Sequence, residues 1–169
     1  HYDRVLLLDQ MGQGKTTHAV GYAKHCGGIL LTNDLDNGTA DIYEAALPEG
    51  RIITLEPGQS VKDWADHFAG QPLVIDFGGF VESRVIEAAS LADVTVVPLS
   101  YQSTADLMPA VKTITALQSH CETILVLINN TAPEHVKDLV GILAVRFPKL
   151  PVLVVNSSRH VARLAGRVD

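Results

Sequence analysis

The chain has 169 residues, 47% hydrophobic and 19% charged, enough to bury one substantial core without disulfide or metal staples. A net charge of −6 excludes a surface coated in basic residues for nucleic acid, while leaving room for a local basic patch. The two cysteines, Cys26 and Cys121, lack metal-ligand spacing and read as free thiols in a reducing compartment. No apolar run reaches transmembrane length and no secretory signal is visible, so a cytoplasmic location is expected. The chain begins at His1, and both termini are expected to be trimmed.

In chain order, apolar runs alternate with longer helical patterns. The runs Arg4–Asp9 (RVLLLD), Gly28–Asn33 (GILLTN), Arg51–Leu55 (RIITL), Pro72–Phe77 (PLVIDF), Val94–Leu99 (VTVVPL), Thr123–Asn129 (TILVLIN) and Pro151–Asn156 (PVLVVN) predict strands. Several are continuous Val/Ile/Leu segments without polar alternation, as expected for parallel strands covered on both faces. Helices are predicted over Lys15–Cys26, Ser60–Ala69, Glu82–Leu91, Ser103–Ser119, Pro133–Arg146 and Ser158–Gly166. Pro109 is tolerable only near a helix start or at a kink. The alternation implies right-handed crossovers and a single α/β domain spanning 1–169, doubly wound around a mostly parallel sheet with helices on both faces. Ligands of such sheets bind at the carboxyl ends of the strands, so the residues just beyond each strand are the ones to read.

Beyond the first predicted strand the chain runs Gln10-Met11-Gly12-Gln13-Gly14-Lys15-Thr16-Thr17. Gly12 and Gly14 permit close backbone approach, so that the N–H groups around Gln13 can turn toward phosphate oxygens at the positive end of the following helix. Lys15 would reach the β- and γ-phosphates, and the Thr16 hydroxyl would ligate Mg²⁺. The plainer alternative is a glycine turn with a solvated lysine. In PLVIDF the apolar run ends at Asp76, with Phe77 and then Gly78 and Gly79 beyond it, which suits a carboxylate held rigidly beside a phosphate-bound metal. An aspartate there could also merely cap the next element.

The loop resembles the deviant Walker A motif of the ParA/MinD family of P-loop ATPases, written Lys-Gly-Gly-x-Gly-Lys-Thr-Thr. Gly12, Gly14, Lys15, Thr16 and Thr17 fall on matching positions, with Gln13 between the glycines. Gln10 stands where the family has its signature lysine, and Met11 replaces the first glycine of the pair. That lysine reaches across a nucleotide-sandwich dimer, so ATP-driven dimerisation and hydrolysis are the expectations on which the departure bears. The resemblance implies ATP or ADP with Mg²⁺ as ligands. Asp34 and Asp36 match an acidic pair after the second strand, Asp34 suiting the Mg²⁺ shell and Asp36 the orientation of attacking water; Asn37 replaces the family's proline. The same stretch reads equally as a turn. Asp76 matches the Walker B aspartate, and Asn129 an asparagine that hydrogen-bonds adenine, a task suited to an amide. Pro98 lies on the family's proline-bearing strand, Ser100 to Ser103 would face the nucleotide edge, and Asn156 and Ser157 could flank the base.

The family further implies a homodimer on ATP binding, a protein partner that adapts or stimulates, and a role in plasmid or DNA partitioning, plasmid stability, conjugation or cargo positioning. Arg159, Arg163 and Arg167 share one predicted helical face. A solvated face is the simpler reading; contact with non-specific DNA or an acidic membrane surface is the alternative. His18, His25, His67, His120, His135 and His160 lack ligand pairing and read as surface or helix-end residues, and Trp64 as helix packing. Two rivals stand beside a weak Mg-dependent ATPase: a degenerate nucleotide-binding module without hydrolysis, favoured by Gln10 and Met11, and a small-molecule kinase or ligase on the same scaffold.

Overall fold

The computed structural model describes residues 3–9, 15–34, 43–78, 83–101 and 104–155. Seven strands form one sheet: β1 (Arg4–Asp9), β2 (Ile29–Thr32), β3 (Ile52–Thr54), β4 (Leu73–Gly78), β5 (Val94–Leu99), β6 (Ile124–Asn129) and β7 (Val152–Val155). Among the described residues five helices connect them: α1 (Lys15–Cys26), α2 (Val61–His67), α3 (Ser83–Leu91), α4 (Thr104–Leu117) and α5 (Pro133–Arg146), with a 3₁₀ turn at Glu44–Ala46. The strand order is β3-β2-β4-β1-β5-β6-β7 and every pairing is parallel. The predicted doubly wound architecture is therefore what forms. The last predicted helix, Ser158–Gly166, lies outside the described residues.

Alternation along each strand divides the core between the two faces of the sheet. On one face Val5, Leu7, Leu30, Val74, Val96 and Leu127 pack against Ala19, Val20 and Ala23 of α1. On the other Leu6, Leu8, Leu31, Ile75, Phe77 and Ile128 meet residues of α2, α3, α4 and α5. These strand residues are nearly all fully buried, which is why the runs carry no polar alternation. Trp64 packs against this second cluster, as its amphipathic setting predicts, and stacks on Phe68 at 5.8 Å.

Local chemistry sets the element ends. Gly27 leaves α1 at φ +66°, and Gly28 N–H then donates to the Ala23 carbonyl at 2.9 Å, closing the helix. Ser60 caps α2 by accepting from Asp63 N–H. The Glu87 carboxylate of α3 accepts from Ser60 Oγ at 2.8 Å and from the Val61 and Lys62 amides, occupying the same helix start from across the interface. Pro133 opens α5, where no intrahelical N–H is required. Pro109 sits inside α4, in its second turn, where it withholds one donor from the helix ladder. Among the described residues no helix is long and apolar enough to cross a membrane.

Candidate nucleotide site

The central strand β1 lies between β4 and β5 and feeds α1, and the carboxyl ends of β2, β4 and β1 finish at one level. Thr32 of β2 pairs with Asp76 of β4, which pairs with Leu7 of β1; two residues on, Gly78 pairs with Asp9. Asp76 shares the strand parity of Val74, so it stands on the α1 face, and it is only 1% exposed. Burial of a carboxylate is costly unless it has a polar or cationic role to fill.

Beside this row, α1 lies over β1, β2 and β4 and begins at Lys15. Thr16 and Thr17 are half-buried in its first turn. Thr17 Oγ1 shares a 2.9 Å hydrogen bond with the Tyr43 hydroxyl, which comes from just before the 3₁₀ turn and packs on the α1-side core. At the end of β2, Asp34 N–H donates to Thr32 Oγ1 at 3.1 Å, so the acidic loop starts as a hydroxyl-stabilised turn. Asn33 hydrogen-bonds both backbone groups of Gly78: its Oδ1 accepts from Gly78 N–H at 3.0 Å and its Nδ2 donates to Gly78 O at 3.2 Å.

On the far side of β1, the ends of β5 and β6 are tied together. Tyr101 N–H donates to Thr131 Oγ1, whose own hydroxyl donates to Asn129 O, both at 3.1 Å. Asn130 makes the turn in the left-handed region, at φ +47°, a conformation asparagine tolerates better than most residues. The Asn129 side chain hydrogen-bonds His18 in the first turn of α1. His18, read from sequence as a surface or helix-end residue, stands at the start of α1. It is half-buried, and burial pulls its pKa below the ordinary imidazole value, against the opposing pull of the Asn129 bond. Ser100, at the end of β5, is buried.

The described structure therefore brings Thr16, Thr17, Asp34, Asp76 and Asn129 to the carboxyl side of one sheet. Gln10, Met11, Gly12, Gln13, Gly14, Asp36, Gly79, Ser103, Asn156, Ser157, Arg159, Arg163 and Arg167 lie outside the described residues, as does the side chain of Lys15. Hydroxyl and carboxylate oxygens are the donors that Mg²⁺ prefers, and Thr16 with the buried Asp76 fits a cation that keeps most of its shell for phosphate and water. Asn33, Tyr43 and His18 are the site-edge residues that sequence reasoning missed. Their partners are distant in the chain, and no local spacing announces them.

Solved structures share this architecture. The MinD cell division protein of Aquifex aeolicus matches with a TM-score of 0.63 at 17% identity, over 97% of this chain and 86% of that one. A MinC:MinD cell division protein complex from the same organism matches with a TM-score of 0.63 at 18% identity, over 97% and 85%. A ParA family ATPase from Chlorobium tepidum TLS matches with a TM-score of 0.63 at 13% identity, over 96% and 89%. The fold is that of the MinD and ParA P-loop ATPases. No protein-family model matches the sequence, and no curated protein matches it.

Proposed function

We propose that this chain is a ParA/MinD-like nucleotide-binding protein that takes ATP or ADP with Mg²⁺ at the carboxyl edge of β1 and β4. The observation that carries the reading is Asp76, buried on the α1 face of β4 and one strand from the segment that enters the Gly-x-Gly-Lys-Thr-Thr motif. In this reading the backbone around Gly12, Gln13 and Gly14 holds phosphate, and Lys15 places its charge on the β- and γ-oxygens. Thr16 and Asp76 hold the metal, Asp34 contributes to its shell, and Thr17 lies against the phosphates. Mg²⁺, when bound, neutralises phosphate charge and orients the terminal group for in-line attack. Asp36 orients the attacking water, and Asn129, held by His18, reads the base edge with its amide.

Slow hydrolysis coupled to homodimerisation, with a protein partner that reads the state, is the cycle this site would serve. The likeness to a MinD solved with MinC supports a protein partner. Cargo or plasmid positioning, plasmid stability and conjugation are the corresponding roles, in the cytoplasm. Non-specific DNA would be the matrix ahead of membrane, through Arg159, Arg163 and Arg167. One specific observation favours a second reading: Gln10 lacks the charge with which the family's lysine reaches the partner's phosphates. A degenerate member that binds nucleotide without turnover is that reading.

Purified protein mixed with ATP and Mg²⁺ separates them, with phosphate release and oligomer size followed together. Turnover abolished by Lys15→Ala and by Asp36→Ala supports the ATPase. Tight binding with no turnover supports the degenerate module. Absence of any nucleotide binding refutes the proposal.

A further inference from the structure

The outer face of α5 carries a pattern that the core does not explain. Leu139 and Leu143 turn inward and are buried, with Val136 and Val140 packed beside them. On the opposite side of the helix lie Glu134, Asp138, Gly141 and Val145, spaced four, three and four residues apart, with Ile142 on their flank. Val145 is 87% exposed and Ile142 43%. Together with Lys137, Asp138, Gly141 and Arg146 they line a shallow groove of about 720 Å³. Gly141 weakens an exposed mid-helix position relative to alanine. Nothing lies within 4 Å of a Cβ built there, so no neighbour among the described residues demands a glycine. At the centre of an outward stripe, its missing side chain lets a second helix approach closely.

The charges are ordered along the same helix. Glu134 and Asp138 occupy its first half, Arg146 its last turn, and Lys149 follows just beyond. Among the described residues none of these four has an ion-pair partner. A parallel copy in register would set acid against acid and base against base. An antiparallel copy does the reverse. With the two-fold axis passing between Gly141 and Ile142, Asp138 falls opposite Val145 and Arg146 of the second copy, and Glu134 opposite its Lys149. Lys137 and Arg146 lie on opposite flanks of the stripe, and in a two-fold antiparallel pair each flank meets its own kind, so these two bases do not collide. The helix dipoles also oppose one another in this arrangement.

We infer that α5 is a self-complementary docking face that pairs antiparallel with α5 of a second copy of this chain, with Gly141, Ile142 and Val145 at the centre and Asp138–Arg146 contacts at both rims. The stripe faces away from the sheet and from the strand ends that carry Thr16 and Asp76, so the pairing needs no nucleotide and does not rest on the nucleotide reading. One pair of four-turn helices buries less than the roughly 1,200–2,000 Å² of a standard stable interface, so the dimer is weak and reversible.

Sedimentation velocity on the full chain, with EDTA and no nucleotide, tests this over about a hundredfold range of protein concentration. Wild type passes from monomer to dimer as the concentration rises. Asp138→Arg and Arg146→Asp, each alone, set like charges at both rims and weaken the dimer about tenfold. Mixed in equal amounts, the two variants each supply the charge the other lacks, and the mixed dimer forms within about threefold of wild type. Val145→Asp removes the apolar centre and faces Asp138 of the second copy with another acid, leaving a monomer at every concentration. Far-UV circular dichroism of all three variants matches wild type, since the changed side chains are exposed. A wild-type chain that stays monomeric overturns the inference and leaves the groove to the chain's own residues 156–169 or to another protein. Dimers that persist in Val145→Asp, or charge variants that mixing does not rescue, overturn it as well, because the contact then lies elsewhere. None of these outcomes bears on nucleotide binding.

Discussion

Gly28 stands where the turn after α1 enters β2, and the structure sets a sharp expectation for its replacement by alanine. An ideal Cβ there would lie 2.7 Å from the Pro72 carbonyl oxygen, 3.0 Å from Cys26 Sγ and 3.1 Å from Pro72 Cβ. Cys26 can turn aside. The Pro72 oxygen cannot, because it accepts the Ile29 N–H at 2.9 Å, the bond that begins the join of β2 to β4. Retreat by a few tenths of an ångström would stretch that bond, so the strain stays in the backbone. Overpacking of this kind costs about 2–3 kcal/mol. For a chain of this length that corresponds to a Tm lower by about 4–12 °C. Gly21→Ala is the matched control: Gly21 lies mid-helix in α1 with nothing within 4 Å of a built Cβ. Alanine there gains about 0.8–1 kcal/mol of helix propensity. Urea unfolding of both variants with unchanged m-values reads the two signs directly. A Gly28→Ala protein within about 0.5 kcal/mol of wild type would show that the join tolerates a side chain, and the packing argument would be wrong.

Three further perturbations address the site. Tyr43→Phe and Thr17→Val, alone and together, should give a double-mutant coupling of about 1 kcal/mol in unfolding free energy; strict additivity would mean that their hydroxyl bond contributes nothing. Because burial lowers the pKa of folded His18 below its unfolded value, the unfolded chain binds the proton more readily. His18 therefore contributes stability above about pH 6.5 that is lost as the pH falls through its folded pKa, and His18→Gln should flatten that part of a stability–pH profile; an unchanged slope counts against the buried imidazole. Asp76→Asn should weaken the Mg²⁺-dependent part of nucleotide affinity about 10- to 100-fold by titration calorimetry. Unaltered Mg²⁺ dependence would remove Asp76 from the metal site.

Where the sequence carried a local cause, element boundaries were legible. Arg4–Asp9, Lys15–Cys26, Val94–Leu99 and Pro133–Arg146 form over the predicted spans, because an apolar run, a glycine stop or a proline start marks each end. The short β3 shrinks to Ile52–Thr54, and the 3₁₀ turn before it had no periodic signal to announce it. PVLVVN is a predicted strand with a continuous apolar run, yet β7 lies at the sheet edge and leaves Leu153 and Val154 about half exposed. Apolarity reports what a strand tolerates, and strand order decides how much of it is covered.

The same distinction runs through the site. Asp76 and Asn129 could be placed from sequence because each ends an apolar run, and a strand end in a parallel sheet is already an address. Asn33–Gly78, Thr17–Tyr43 and His18–Asn129 could not, because each joins segments that become neighbours only once β4 inserts between β2 and β1 and α1 crosses that face. The residues matching a phosphate loop come from one contiguous motif, whereas the bonds that hold the site's walls together come from topology. This division also separates the consequences of Gln10 and Met11. They follow the end of β1 in the chain and precede the glycines, so in the proposed reading the replacements fall on the part of the motif that would reach outward. Gly12 through Thr17, which in the proposed reading grip phosphate, keep the residue types of the motif. Loss of reach with retention of grip is what such a placement predicts, and nucleotide affinity should be the more robust of the two properties.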